Sequence, residues 1–181
     1  MAFALLLATA LAIVGLIATT AQGFVTSHRL VEAAPVARIL VARHVGWAIP
    51  TVLFSLFSQS MVIFYFIGTG KLVKQEVAGY PERERGVILA ALKRFKRRTS
   101  PPATFALLSA IGVFVLGGAA HTRALPSWVH LVSALLALAF HAWAFSAEAR
   151  AFAENNRLMD DPAGYARANA PAPHRIEAET R

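Results

Sequence analysis

Four uncharged apolar stretches, separated by charged or proline-bearing connections, set the layout of the chain. Residues 2–22, AFALLLATALAIVGLIATTAQ, carry no charge, and neither do the 26 residues between His44 and Lys71, nor 103–120, nor 128–146. A hydrocarbon core about 30 Å thick needs roughly 20 apolar residues in helix. The pattern therefore predicts transmembrane helices over about 2–22, 45–70, 103–120 and 128–146. Pro35 suits a first helical turn, so the second helix is expected to start near Val36, project beyond the bilayer and enter at about Val45, as the longest element. Pro50 removes a backbone donor and is expected to kink it.

The second stretch is not uniformly apolar. Positions 51, 55, 58, 62, 65 and 69 recur at helical spacing, and Thr51, Ser55, Ser58, Tyr65 and Thr69 make five of the six polar, with Gln59 beside them. A lipid-bathed helix has no reason to gather hydroxyls on one stripe, whereas a helix in a bundle does, since Ser, Thr and Gln can bond across the interface. The stripe is therefore expected to face inward.

The connections complete the outline. Lys71–Ser100 is basic, and PERERGVILAALKRFKRR within it has acids in its first turn and bases at its end, matching the helix dipole. With Val87, Ile88, Ala91, Leu92 and Phe95 largely on one side, residues 81–98 read as an amphipathic helix on the membrane surface, ended by Pro101-Pro102. HTRALPS (121–127) holds no domain and makes spans three and four a hairpin. Trp128 and Trp143 sit where interfacial aromatics belong. A charged helical pattern continues through Leu158, and after DDPAG (160–164) the composition turns to Ala, Pro and Arg. The expected fold class is an all-α membrane protein: one domain over 1–158, a four-transmembrane-helix bundle with one interfacial amphipathic helix, and a flexible polar tail at 159–181.

Composition agrees with a bilayer setting. The chain is 56% apolar, with mean hydropathy +0.52. It lacks cysteine, which excludes disulfides, thiolate metal sites and cysteine nucleophiles. The net charge of +8 comes from bases flanking the apolar spans; attraction to anionic lipid headgroups accounts for them, and no nucleic-acid motif is present. With four spans, 14 Lys and Arg fall on the side of the termini and the basic loop and 4 on the other. The positive-inside rule then places both termini in the cytoplasm of an inner or plasma membrane protein. A cleaved signal peptide is the rival reading of residues 2–22; the absence of Lys or Arg before the run, and its length, favour a retained helix.

Histidine is the residue type that invites chemistry. His44, His121 and His130 are expected near the outer surface. His141 lies 14 residues in from an edge at 127, as does Gln59 from an edge at 45, about 21 Å deep in each case. An interior layer joining Gln59 and His141, directly or through Ser55, Ser58 or water, follows from those counts. Two cofactors fit such residues. A quinone needs a few polar groups in an apolar pocket, for which His141, Gln59 and Tyr65 would serve. Haem b needs two facing imidazoles at one depth, which His44, His121 and His130 alone could supply. Against both stands an interior with hydrogen-bonded histidines and no cofactor. GTGK at 68–71 lacks the spacing of a phosphate loop. The four spans as bounded above hold no Asp or Glu, which argues against a proton-coupled carrier.

On this reading the chain is a small integral membrane protein, a non-catalytic subunit or partner-binding component of a larger membrane complex. A quinone- or haem-binding membrane anchor for electron transfer is the alternative, and a transporter or channel the third class.

Overall fold

The computed structural model of the chain describes residues 1–29 and 34–170, with the side chains of 28, 29, 34 and 35 left aside. The described residues form five α-helices and no strand: α1 (Ala2–Arg29), α2 (Ala34–Glu76), α3 (Glu82–His121), α4 (Ser127–Asp160) and the short α5 (Pro162–Asn169), with a 3-10 turn at Val77–Gly79 between α2 and α3. Helices α1 to α4 are each long and apolar enough to cross a membrane. The longest is α2, with 43 residues and Pro50 inside it.

The four long helices pack as a ring. α1 lies against α2 and α4, and α3 lies against the same two, so α2 and α4 face each other across one diagonal and α1 and α3 across the other. Large apolar side chains point outward along each helix. Phe3, Leu7, Leu11, Val14 and Ile17 on α1, and Leu53, Phe57, Phe64 and Ile67 on α2, are all exposed at helical spacing. The interior is lined instead by small and polar residues. On α4, positions 137, 141, 144, 148, 151, 155 and 158, alternating four and three apart, are all buried; this is the seam spacing of coiled coils. Ala103, Ala106 and Ala110 give α3 a fully buried face of the same kind. Small residues let backbones approach where lipid on the outside removes the hydrophobic drive.

The polar stripe of α2 faces inward as its spacing predicts: Ser55, Ser58, Gln59, Val62 and Thr69 are buried. Of its hydroxyls only that of Tyr65 reaches another helix among the described residues, at Asn155 and Asn156 of α4. Ser58 donates to the Ser55 carbonyl at 3.0 Å and Thr69 to the Tyr65 carbonyl at 2.9 Å. A hydroxyl three or four residues after a carbonyl on its own helix finds that acceptor without any partner helix.

Three sequence expectations need correction. Residues 81–98 do not form a separate helix on the membrane surface. They are the first half of α3, which runs unbroken through Pro101 and Pro102. The apolar side that suggested a lipid contact packs on protein: Ile88, Ala91, Leu92 and Phe95 join Val73 and Val77 from the α2 end, Leu158 of α4 and Ala166 of α5 in one core cluster. That cluster holds the first half of α3 and the buried Ala103, Ala106 and Ala110 hold the second, while the prolines withdraw two donors from the ladder. The tail after 159 is not all irregular either. Asp161 caps α5 by accepting from the Gly164 N–H at 2.8 Å, and Pro162 stands in its first turn, so DDPAG stops one helix and starts the next. Residues 171–181 of the expected flexible tail lie outside the described residues.

Between α3 and α4 the chain turns tightly. Arg123 takes a left-handed φ of 62°, while the Ala124 and Leu125 N–H groups donate back to Ala119 at 2.9 and 3.3 Å. That is how a helix end satisfies its last carbonyls, and it makes α3 and α4 the expected hairpin.

Candidate functional site

Two diagonal helices carry a histidine at the same end of the bundle, the end away from the basic stretch. The imidazoles of His44 (α2) and His130 (α4) lie with centroids 6.2 Å apart and planes at 71°. The other diagonal supplies glycine at this level. A Cβ on Gly23 of α1 would stand 2.9 Å from His44 Cε1, and one on Gly117 of α3 would stand 2.9 Å from His130 Cε1. Four helices thus contribute Gly, His, Gly, His in ring order. Each missing side chain lets an imidazole lie against a neighbouring backbone, and the two rings meet on the bundle axis. Both Nδ1 atoms are buried without a hydrogen-bond partner, while the His130 ring also reaches the Val113 carbonyl of α3. The core cluster of Val52, Ala110, Val113 and Ala137 closes the site from below, and Trp47 and Trp128 are exposed three residues after and two before the respective histidines. His121, which the sequence groups with this pair, is exposed at the end of α3 and forms no ring contact with either.

A deeper polar layer exists, arranged differently from the expectation. Gln59 and His141 are both fully buried, yet no hydrogen bond joins them. His141 Nδ1 is 2.8 Å from the Ala137 carbonyl one turn back, and its Nε2, both amide atoms of Gln59 and Ser55 Oγ have no partner among the described residues. The register of the parallel pair α2 and α4 gives the reason. His44 meets His130, and Phe66 stacks on Phe152. Between these fixed points His141 falls level with Ser55, and Gln59 falls one turn further along, towards Glu148. Counting from the two sequence edges at 45 and 127 put Gln59 and His141 at one depth because Ser127 of α4 lies level with Val41 of α2, about a turn further out than the edge at 45.

Glu148 is the residue that sequence reasoning missed. The fourth span as bounded above ended at 146; α4 continues to Asp160, and Glu148 is fully buried inside the bundle. Thr9 of α1 comes within reach of it, but the Thr9 hydroxyl donates to its own Leu5 carbonyl at 3.0 Å, and both carboxylate oxygens lack a hydrogen-bond partner. The available signal was position: Glu148 follows His141 by seven residues and so shares its face.

Tyr65, the third residue of the quinone set, belongs to yet another level. Its hydroxyl accepts from Asn155 Nδ2 at 3.2 Å and donates to Asn156 Oδ1 at 3.3 Å, and its ring packs edge-on against Phe66 and Phe152. His141, Gln59 and Tyr65 thus occupy three successive levels instead of one pocket.

What the outer pair can do follows from its numbers. His44 and His130 are the residues that would hold a group lying between α2 and α4, each through one imidazole nitrogen. Among the described residues no group of three or more His, Asp or Glu gathers as a metal site. Two ligands are too few for a bare ion in a structural site, but two imidazoles would suffice to hold a haem, which would supply one-electron redox chemistry.

Comparison with protein-family models, with curated proteins and with solved structures found no match.

Proposed function

We propose that this chain is a small non-catalytic subunit of a membrane complex that holds a b-type haem between His44 and His130 and serves electron transfer. The observation that carries the reading is the imidazole pair brought together from the diagonal helices α2 and α4, with centroids 6.2 Å apart. A haem in that position supplies one-electron redox chemistry. The chain's own part is to fix two imidazoles from opposite helices, to give them room through Gly23 and Gly117, and to shield them with the apolar cluster beneath. Rigid helices suit that task better than loops, because the ligand geometry then survives thermal motion.

The wider setting belongs to the same proposal. The bundle sits with both termini and the basic stretch in the cytoplasm, as the Lys and Arg distribution supports, so the histidine pair lies towards the outer face. The exposed apolar flanks of α1 to α4 meet lipid and partner subunits alike. The quinone alternative draws less support, because Gln59, His141 and Tyr65 do not share a cavity.

The test is optical. The full chain, expressed with haem precursor and purified in mild detergent, is expected to show a Soret band and the low-spin spectrum of bis-imidazole iron. His44→Ala and His130→Ala should each abolish that spectrum, while His141→Ala should keep it. A colourless wild-type protein from haem-replete cells overturns the haem reading and leaves a partner-binding subunit.

A further inference from the structure

At the opposite end of the bundle lies an open cavity of about 610 Å³ lined by Arg94 and Arg98 of α3, Glu154 and Arg157 of α4, Asp161, and Tyr165 and Asn169 of α5. We infer that this cavity is a binding site for the phosphodiester headgroup of an anionic glycerophospholipid. The inference stands apart from the haem reading and uses none of its residues.

Charge is the first argument. Three guanidinium groups face two carboxylates across the cavity, leaving one positive charge in excess, and a phosphodiester carries one negative charge. The carboxylates are already engaged. Glu154 is shared, through one oxygen to Arg94 and the other to Arg98, both at 3.3 Å. Asp161 caps α5. Arg157 forms no ion pair among the described residues, although it lines the same cavity. Guanidinium groups recognise phosphate oxygens through paired N–H donors.

Preorganisation is the second. Arg94 also donates to the Tyr165 hydroxyl at 2.9 Å, so its position is set from two helices. Such bonds hold the cavity in shape and engage only part of the five N–H donors each guanidinium carries. Short α5 exists to close this cavity: Ala166 anchors it in the core cluster beside Leu158 and Ala91, and Tyr165 and Asn169 then form the wall.

Depth is the third, and it selects a lipid over a free phosphate. Arg98 is the last charge before the uncharged run that starts at Thr99, so it marks the hydrocarbon edge. Arg94 is one turn, roughly 6 Å, beyond it, within a headgroup layer roughly 5–7 Å deep on each side of a bilayer. Basic pockets between helices at this level are where anionic headgroups lodge.

The experiment uses the full chain in detergent, with native mass spectrometry of bound lipid during titration with phosphatidylglycerol or with phosphatidylcholine of the same acyl chains. Phosphatidylglycerol is expected to be retained preferentially. Arg98→Gln and Arg157→Gln should each weaken it roughly five-fold. Glu154→Gln, which frees the two arginines it holds, should tighten it; a purely structural role for these residues would make that variant weaker instead. Inorganic phosphate in millimolar excess should fail to displace the lipid. Equal retention of phosphatidylcholine, or wild-type affinity in both arginine variants, overturns the inference, and displacement by inorganic phosphate overturns its assignment to a lipid.

Discussion

Gly117 of α3 and His130 of α4 approach so closely that a methyl group at 117 would stand 2.9 Å from the imidazole Cε1. Backbone flanks that methyl on one side and a ring held by its own helix on the other, so the ring must turn or the helices must part. Gly117→Ala is therefore expected to lower the haem content of the purified protein several-fold while its helical circular dichroism stays unchanged, and Gly23→Ala should act alike on His44. Gly118→Ala is the control, since no atom lies within 4 Å of a Cβ there. Equal haem-to-protein ratios in Gly117→Ala and Gly118→Ala would dissociate the glycine from the site.

Glu148 makes a second prediction, on stability. A fully buried carboxylate without a hydrogen-bond partner is destabilising relative to a neutral side chain of the same shape. Glu148→Met, which removes the unpaired oxygens at similar size, is expected to raise unfolding stability in detergent by about 1–3 kcal/mol, the cost ascribed to an unsatisfied buried polar group. Thermal unfolding of the two proteins in the same micelle measures it. A clear loss would mean that the native carboxylate has a cation or donor beside it.

The cap of α5 offers a local test. Asp161→Ala removes the bond to the Gly164 N–H and should cost about 0.5–2 kcal/mol of local helix stability. Gly164→Ala should do at least as much harm, because its new Cβ would collide with the Asp161 carboxylate. Amide hydrogen exchange over residues 162–169 is expected to quicken in both variants while α3 and α4 keep their protection. Unchanged exchange in the α5 amides would show that the core contact of Ala166 holds the helix without the cap.

Orientation can be read with reporter fusions. Fusions after Gly86 and after Arg181 are expected to report the cytoplasm, and one after Thr122 the opposite side. A cytoplasmic signal at Thr122 would break the four-span topology.

Much of the architecture was legible because it follows from length and charge. Uncharged runs located the four helices long and apolar enough to cross a membrane, and the spacing of Ser55, Ser58 and Thr69 showed which side of α2 turns inward. The His44–His130 pair was legible only as a possibility, since a sequence gives depth along each helix but not which helices lie on a diagonal. Errors arose where a helix outlasts its apolar run. α4 continues into charged sequence, so Glu148 was left outside the fourth span when the seam spacing buries it inside the bundle. Residues 81–98 show the same limit: an apolar face looks alike whether lipid or protein covers it, and only the positions of Val73, Val77 and Leu158 reveal which. Prolines 101 and 102 misled for a related reason, since tertiary packing holds a helix straight against a local preference to end.

Helix α4 has neither proline nor glycine between Ser127 and Asp160. It is one stiff rod bearing His130 near its start, Glu148 past its middle and the cavity residues Glu154 and Arg157 near its end. From His130 to Arg157 the axial distance is about 40 Å at the α-helical rise, with no joint to absorb torsion. A roll of this helix in response to whatever seats at the arginine end would therefore swing His130 relative to His44 on the facing rod. Nothing in the sequence of α4 offers a proline or glycine hinge at which one end could be uncoupled from the other.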